Sequence, residues 1–181
     1  DGSETPRGRA RLWNLAAIAR YTLGDIEASC AALDECLIAE EEAGLDTFLA
    51  TTHGNYAEGL LQLGDQVGAA GHQLAGLQFA RSMGQAKNIA FACMVGARFA
   101  AASGDHAQAV RLETGADRIL EDGHVFLYQR DVEERSALLD TARRALGVAE
   151  YERVVQASRA IQIDQLADET AEMLQRTAAS K

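Results

Sequence analysis

The side chains best suited to chemistry in this 181-residue chain are four histidines and three cysteines. His53, His72, His106 and His124 each lack a His, Cys, Asp or Glu four residues away on the same helical face. No zinc-type ligand set forms locally, and each imidazole is expected to be solvated or singly hydrogen-bonded. Cys30 and Cys36 lie six residues apart on one expected helix and so point to different faces. With Cys93 they make an odd set, which predicts small, buried thiols in a reducing cytosol rather than a disulfide framework. Gly84-Gln85-Ala86-Lys87 has the outline of a phosphate loop. It lacks the full G-x-x-x-x-G-K-[ST] spacing and follows no strand, so it reads as a connection between helices. No G-x-S-x-G nucleophile turn occurs. The expectation is a chain that is not an enzyme, with no metal site and no cofactor.

The elements that must position these residues are set by Gly24-Asp25, Gly64-Asp65 and Gly104-Asp105, which recur at a spacing of forty residues. Glycine reaches the left-handed conformation that ends a helix, and the aspartate after it can accept the first N–H groups of the next one. A fixed spacing in this range predicts stacked helical hairpins. The expected order is a flexible entry segment over 1–8, then one repeat domain over 9–181. Its units span about 9–44, 46–84, 86–122 and 131–160, followed by a terminal helix over 164–178. Nine helices and no strands are expected. Asp46 is expected to cap the third helix, and Asp105 with Gln108 to form a capping box. Glu40-Glu41-Glu42 reads as a solvated helix end, the commoner meaning of three adjacent acids, with docking of a basic partner as the alternative. The apolar knot Val125-Phe126-Leu127-Tyr128 reads either as core filler beneath a loop at 124–130 or as an exposed contact patch, with filler slightly favoured.

Net charge is −10 and the pI about 4.8. Such a surface repels phosphate backbones and anionic lipid, so direct nucleic-acid contact and membrane binding are not expected. No apolar run is long enough to span a bilayer, and no signal peptide is present, which predicts a cytoplasmic location. The chain begins with Asp1 rather than methionine, which suggests a segment cut from a longer protein or one that has lost a leader.

With each Gly-Asp pair placed at the tight turn of a tetratricopeptide unit, Trp13 falls at the first large position of the first helix. Ala17, Ala57 and Ala97 then take the small position of first helices, and Ser29, Ala69 and Ala109 that of second helices. The repeat is longer than the usual unit of about 34 residues and lacks its closing proline. The chain thus resembles a tetratricopeptide-like, right-handed α-solenoid. A HEAT-type stack competes on length alone.

A second resemblance covers nearly the whole chain. Pro6-Arg7-Gly8-Arg9-Ala10, Ala16 through Gly24-Asp25, and Ala39 to Gly44 are similar to the helical repeats of large LuxR-type, ATP-binding bacterial transcriptional regulators. So are Leu112 to Asp117, Ala145-Leu146-Gly147, Tyr151, Ser158-Arg159-Ala160 and Asp164-Gln165 to Leu174. Val155 and Ser158 depart from that pattern, which often has a second aromatic and a glycine there. The resemblance implies a sensor or oligomerisation segment, with nucleotide-binding and helix-turn-helix modules elsewhere in such proteins.

In such a stack the first helices line a concave wall. The polar and aromatic residues expected there are Arg11, Asn14, Tyr21, Thr51, Asn55, Glu58, Gln62, Phe91, Met94 and Arg98, with Arg144 from a later helix. They suit a protein or peptide partner or a small-molecule effector, and self-association is a further expected mode. The alternative is a free-standing tetratricopeptide adaptor or scaffold unrelated to transcription.

Overall fold

A computed structural model describes residues 5–180, which form nine α-helices and, among the described residues, no strand. They are α1 Pro6–Thr22, α2 Ile26–Glu42, α3 Asp46–Gln62, α4 Gln66–Ser82, α5 Ala86–Ala102, α6 His106–Asp122, α7 Gln129–Leu146, α8 Val148–Ser158 and α9 Ile163–Ala178. The first six are each 17 residues long. This follows from the punctuation. Gly24, Gly64 and Gly104 take φ of 81°, 83° and 83°, where any larger side chain is strained. The carboxylate after each then accepts a backbone N–H three residues on: Ala28 at 3.1 Å, Gly68 at 2.8 Å and Gln108 at 3.0 Å. Each such cap is worth about 1 kcal/mol.

Four local expectations are corrected. Helix α1 begins at Pro6, not after Gly8, because Thr5 caps it through the Gly8 N–H and proline suits a first helical turn; residues 1–4 of the expected entry segment lie outside the described residues. Asp46 is the first residue of α3, and Leu45 occupies the capping position with no side-chain bond. Only half of the capping box forms, since the Gln108 amide reaches Glu169 at 3.3 Å instead of its own helix start. The Val125–Tyr128 knot is split: Phe126 and Tyr128 are 93% and 84% exposed, while Val125 and Leu127 are half-buried.

The chain divides into two compact units. The first contains α1 to α4, and the second contains α5 to α8 and α9 as far as Arg176. In the first, α1 and α2 run antiparallel, with the Ser29 hydroxyl donating to the Ala17 carbonyl at 2.9 Å. Ala17, Ala32 and Leu33 form a small core with Trp13, Ala16 and Tyr56 against it. Trp13 is therefore a packing residue. Ala57 and Ala69 are fully buried between α3 and α4. At Gly76 a Cβ would stand 3.1 Å from the Ala50 carbonyl oxygen, so these two backbones approach too closely for a larger residue. Helix α3 packs on α2, where the Tyr56 hydroxyl donates to Asp34 at 2.7 Å.

In the second unit α5 is the most apolar helix, with Ala92 through Ala97 buried without a break. It pairs with α6 through Ala97, Ala109 and Leu112, all fully buried. Helix α9 lies against this pair. Arg111 grips Glu169 through two bonds of 2.6 and 2.7 Å, and Leu166 packs where Gly115 leaves room. Helix α7 is seated differently. Ala142 is its one buried residue, set against Val110 and Val154. Leu139 and Leu146 add half-buried contacts to this seat, and charged contacts to α5 and α6 supplement it.

Candidate functional site

Helix α6 presents an apolar stripe of Val110, Leu112, Ala116, Ile119 and Leu120, and within it stands Glu113, only 2% exposed. A carboxylate there is costly unless paired and hydrogen-bonded. Helix α7 answers it in part. The Arg135 Nε lies 3.4 Å from Glu113 Oε2, yet the two are not aligned for a hydrogen bond, and Oε2 receives none. The same guanidinium donates to Asp117 through Nη1. Arg98 of α5 pairs with Glu134 of α7 at 2.9 Å.

These groups surround a cleft of about 360 Å³ lined by Met94, Arg98 and Ala101 of α5, His106 and Glu113 of α6, and Asp131, Glu134, Arg135, Ala137, Leu138 and Thr141 of α7. Its volume falls within the range that takes small organic ligands. Burial drives the Glu113 carboxyl up from 4.5 to about 7, against the opposing pull of Arg135 and Arg98 and with Asp117 adding to the rise. The group is thus divided between its two protonation states near neutral pH. The His106 Nδ1 is also buried without a hydrogen bond. Chemically, the cleft can exchange a proton at Glu113 and accept a hydrogen bond from whatever enters.

The eleven sequence-predicted binding residues divide between the units. Met94 and Arg98 line the cleft. Phe91 does not, and stands instead beneath the Lys87 ammonium, 5.9 Å from its ring centre. Arg144 bonds its own helix at the Asp140 carbonyl and Thr141 hydroxyl, each at 3.2 Å. It borders a separate hollow of about 660 Å³ with Asp140, Arg143, Gly147 and Val148. All five of those residues are exposed, so that hollow is open surface. In the first unit, Tyr21 accepts a bond from Gln62. Arg11, Thr51 and Asn55 are exposed, and Asn14 and Glu58 half-buried; none of these lines either of the two hollows of the second unit.

Sequence reasoning missed Glu113, Glu134 and Arg135. One signal was available: Glu113 interrupts the stripe that Leu112 and Ala116 define, and an acid at an inward position of a helix demands a partner. It also missed a histidine pair in the first unit. The Nδ1 atoms of His53 and His72 lie 3.0 Å apart, with Phe79 stacked on His53 and Tyr56 packed on His72. Burial, then the neighbouring His72, lowers His53 to about 4; burial also lowers His72, against the opposing pull of Asp34 and Asp65. Both rings are therefore neutral at pH 7, and one N–H serves the pair. Among the described residues no group of three or more His, Cys, Asp or Glu side chains could hold a metal ion.

Glu40 corrects another reading. It is 5% exposed and not part of a solvated acidic end, which leaves Glu41 and Glu42 alone in that role. The three cysteines are free and buried, as expected. Burial, with Glu40 alongside, pushes the Cys36 thiol up to about 12, so it is no nucleophile at neutral pH. Among the described residues no helix is long and apolar enough to cross a membrane. No family model, curated protein or solved structure matches the chain.

Proposed function

We propose that the chain is a non-catalytic sensor and interaction domain that takes a small-molecule effector in the cleft between α5, α6 and α7. The observation that carries this reading is a nearly inaccessible acid, Glu113, at the wall of a cavity with an apolar lining from Met94, Ala101, Ala137 and Leu138. A cleft with a few convergent polar groups on an apolar lining is the usual form of a ligand site. Helix α7 is the element that would respond, because it is seated through one buried residue, the half-buried Leu139 and Leu146, and a few ion pairs. An occupant that favours one seating of α7 shifts its population and so changes the surface offered to a partner.

The regular spacing of the first six helices supports a tetratricopeptide-like stack of hairpins. The sequence resemblance to LuxR-type regulators supports a place in a cytoplasmic transcriptional switch whose nucleotide-binding and DNA-binding parts lie elsewhere. One observation favours the alternative of a free-standing adaptor: Phe126 and Tyr128, 93% and 84% exposed at the end of the loop before α7, resemble a protein-docking patch.

Native mass spectrometry on protein purified from its own cells tests the sensor reading. A retained small mass that is lost in Ala101→Trp, a cleft-filling variant, is the expected result. Retention of the same mass by a folded Ala101→Trp protein, or its absence from both, would count against the cleft.

A further inference from the structure

The charges around the cleft are unevenly matched, and the mismatch defines what can enter. Arg98 faces Glu134 at 2.9 Å, Arg135 is bonded to Asp117, and Asp131 has Arg130 at 3.5 Å. Each guanidinium in the wall thus has a carboxylate. Glu113 is the acid left over: its Oε2 receives no hydrogen bond, and the nearest cationic nitrogen, Arg135 Nε, stands at 3.4 Å out of alignment. An anionic ligand would have to displace Glu134 or Asp117 from an arginine while approaching Glu113 and Asp131. A cationic donor needs no such exchange, because the Glu113 carboxyl in the lining is already desolvated and shares its one nearby guanidinium with Asp117. The apolar remainder of the lining fits a hydrocarbon body behind that donor.

We infer that the effector is a small organic cation, a primary or secondary ammonium on an apolar body, whose N–H donates to the Glu113 carboxylate. This rests on the cleft being the effector site. The groups facing Glu113 are Arg98 and Cys93 from α5, Asp117 and His106 from α6, and Arg135, Glu134 and Asp131 from α7. Since the carboxyl of the empty cleft titrates near neutral pH, ammonium binding captures the ionised form and releases the carboxyl proton. The proton passes to solvent, and no bond other than the carboxyl O–H is broken.

The test is a titration of the intact chain with octylammonium, octanoate and octanol, followed by amide shifts of α5 to α7 and by calorimetry in two buffers of different ionisation heat. Octylammonium is expected to perturb the cleft residues and to release a fraction of a proton at pH 7. Its affinity should be about tenfold higher at pH 8 than at pH 6, and Glu113→Gln should weaken it by about tenfold. Circular dichroism confirms that the variant is folded, and Asp140→Asn, outside the cleft, serves as the control. Octanoate or octanol binding the cleft as tightly as octylammonium, or an unchanged affinity in Glu113→Gln, overturns the cationic class and leaves the cleft as a ligand site. Silence of the cleft residues toward all three probes overturns the class and the cleft together.

Discussion

Among the described residues each unit buries one glutamate, and the two are treated differently. Glu40 is 5% exposed and accepts a bond from the Thr52 hydroxyl at 3.0 Å. The Cys36 thiol lies 3.6 Å from the same oxygen and 3.3 Å from the Ala10 carbonyl, so its single proton serves one of them at a time. All of these partners are neutral. Glu113 has charged neighbours, a misaligned arginine and a cavity. Burial raises both carboxyls, and at Glu40 the Thr52 and Cys36 bonds oppose the rise. What differs is what each acid could do next. Each acid keeps one buried oxygen, Oε2, without a hydrogen bond; Glu40 is closed in by neutral donors and acts as packing, whereas the Glu113 side chain forms part of a cleft wall. A buried acid with unmet demand becomes a binding group only where a cleft brings a ligand to it.

The largest test of that contrast removes the cation. Arg135→Met keeps the unbranched apolar stem without the guanidinium and should cost about 2–3 kcal/mol at pH 8, where Glu113 is ionised, and roughly half of that at pH 5. Urea unfolding at both values measures it, and an equal cost at each would mean that the two groups are not coupled. Next is the pH slope. The folded pKa of Glu113 is raised from 4.5 to about 7, so the folded state holds the proton more tightly than the unfolded chain. The contribution of Glu113 to stability is greatest below pH 4.5, falls as pH rises, and levels off above about 7. Glu113→Gln should therefore lose about 1–3 kcal/mol less than the parent between pH 5 and 8. Parallel stability curves for the two proteins would break the assignment.

Thr52→Val takes a donor from the closed acid and should destabilise the first unit by about 1–2 kcal/mol, since the acceptor stays buried. Thermal unfolding at pH 7 reads it directly. The smallest effect is expected for Glu40→Gln, under about 0.5 kcal/mol, because the amide oxygen still accepts from Thr52 and carries no charge. A loss comparable to that of Arg135→Met would show that Glu40 is ionised and that the contrast between the two acids is false.

Much of this fold is written locally. The caps at Asp25, Asp65 and Asp105 join residues three apart, and the small residues Ala17, Ala57 and Ala97 sit at one step of a regular spacing. Such features depend on the nearest turns of chain, which a sequence displays. The candidate site was less legible. Met94 and Arg98 could be read from the register, but Glu113 meets Arg135 across 22 residues and Gln108 is drawn away by Glu169 across 61. The triple acid 40–42 misled because adjacent charges usually share solvent, whereas a helix turns each to a different side.

The sequence by itself determined where helices start, stop and pair, because glycine conformation and aspartate capping act within a few residues. Tertiary structure alone decided which acid was buried against neutral donors and which against an arginine beside a cavity. Burial and charge pairing depend on groups brought together from distant parts of the chain, and no local pattern records their distances.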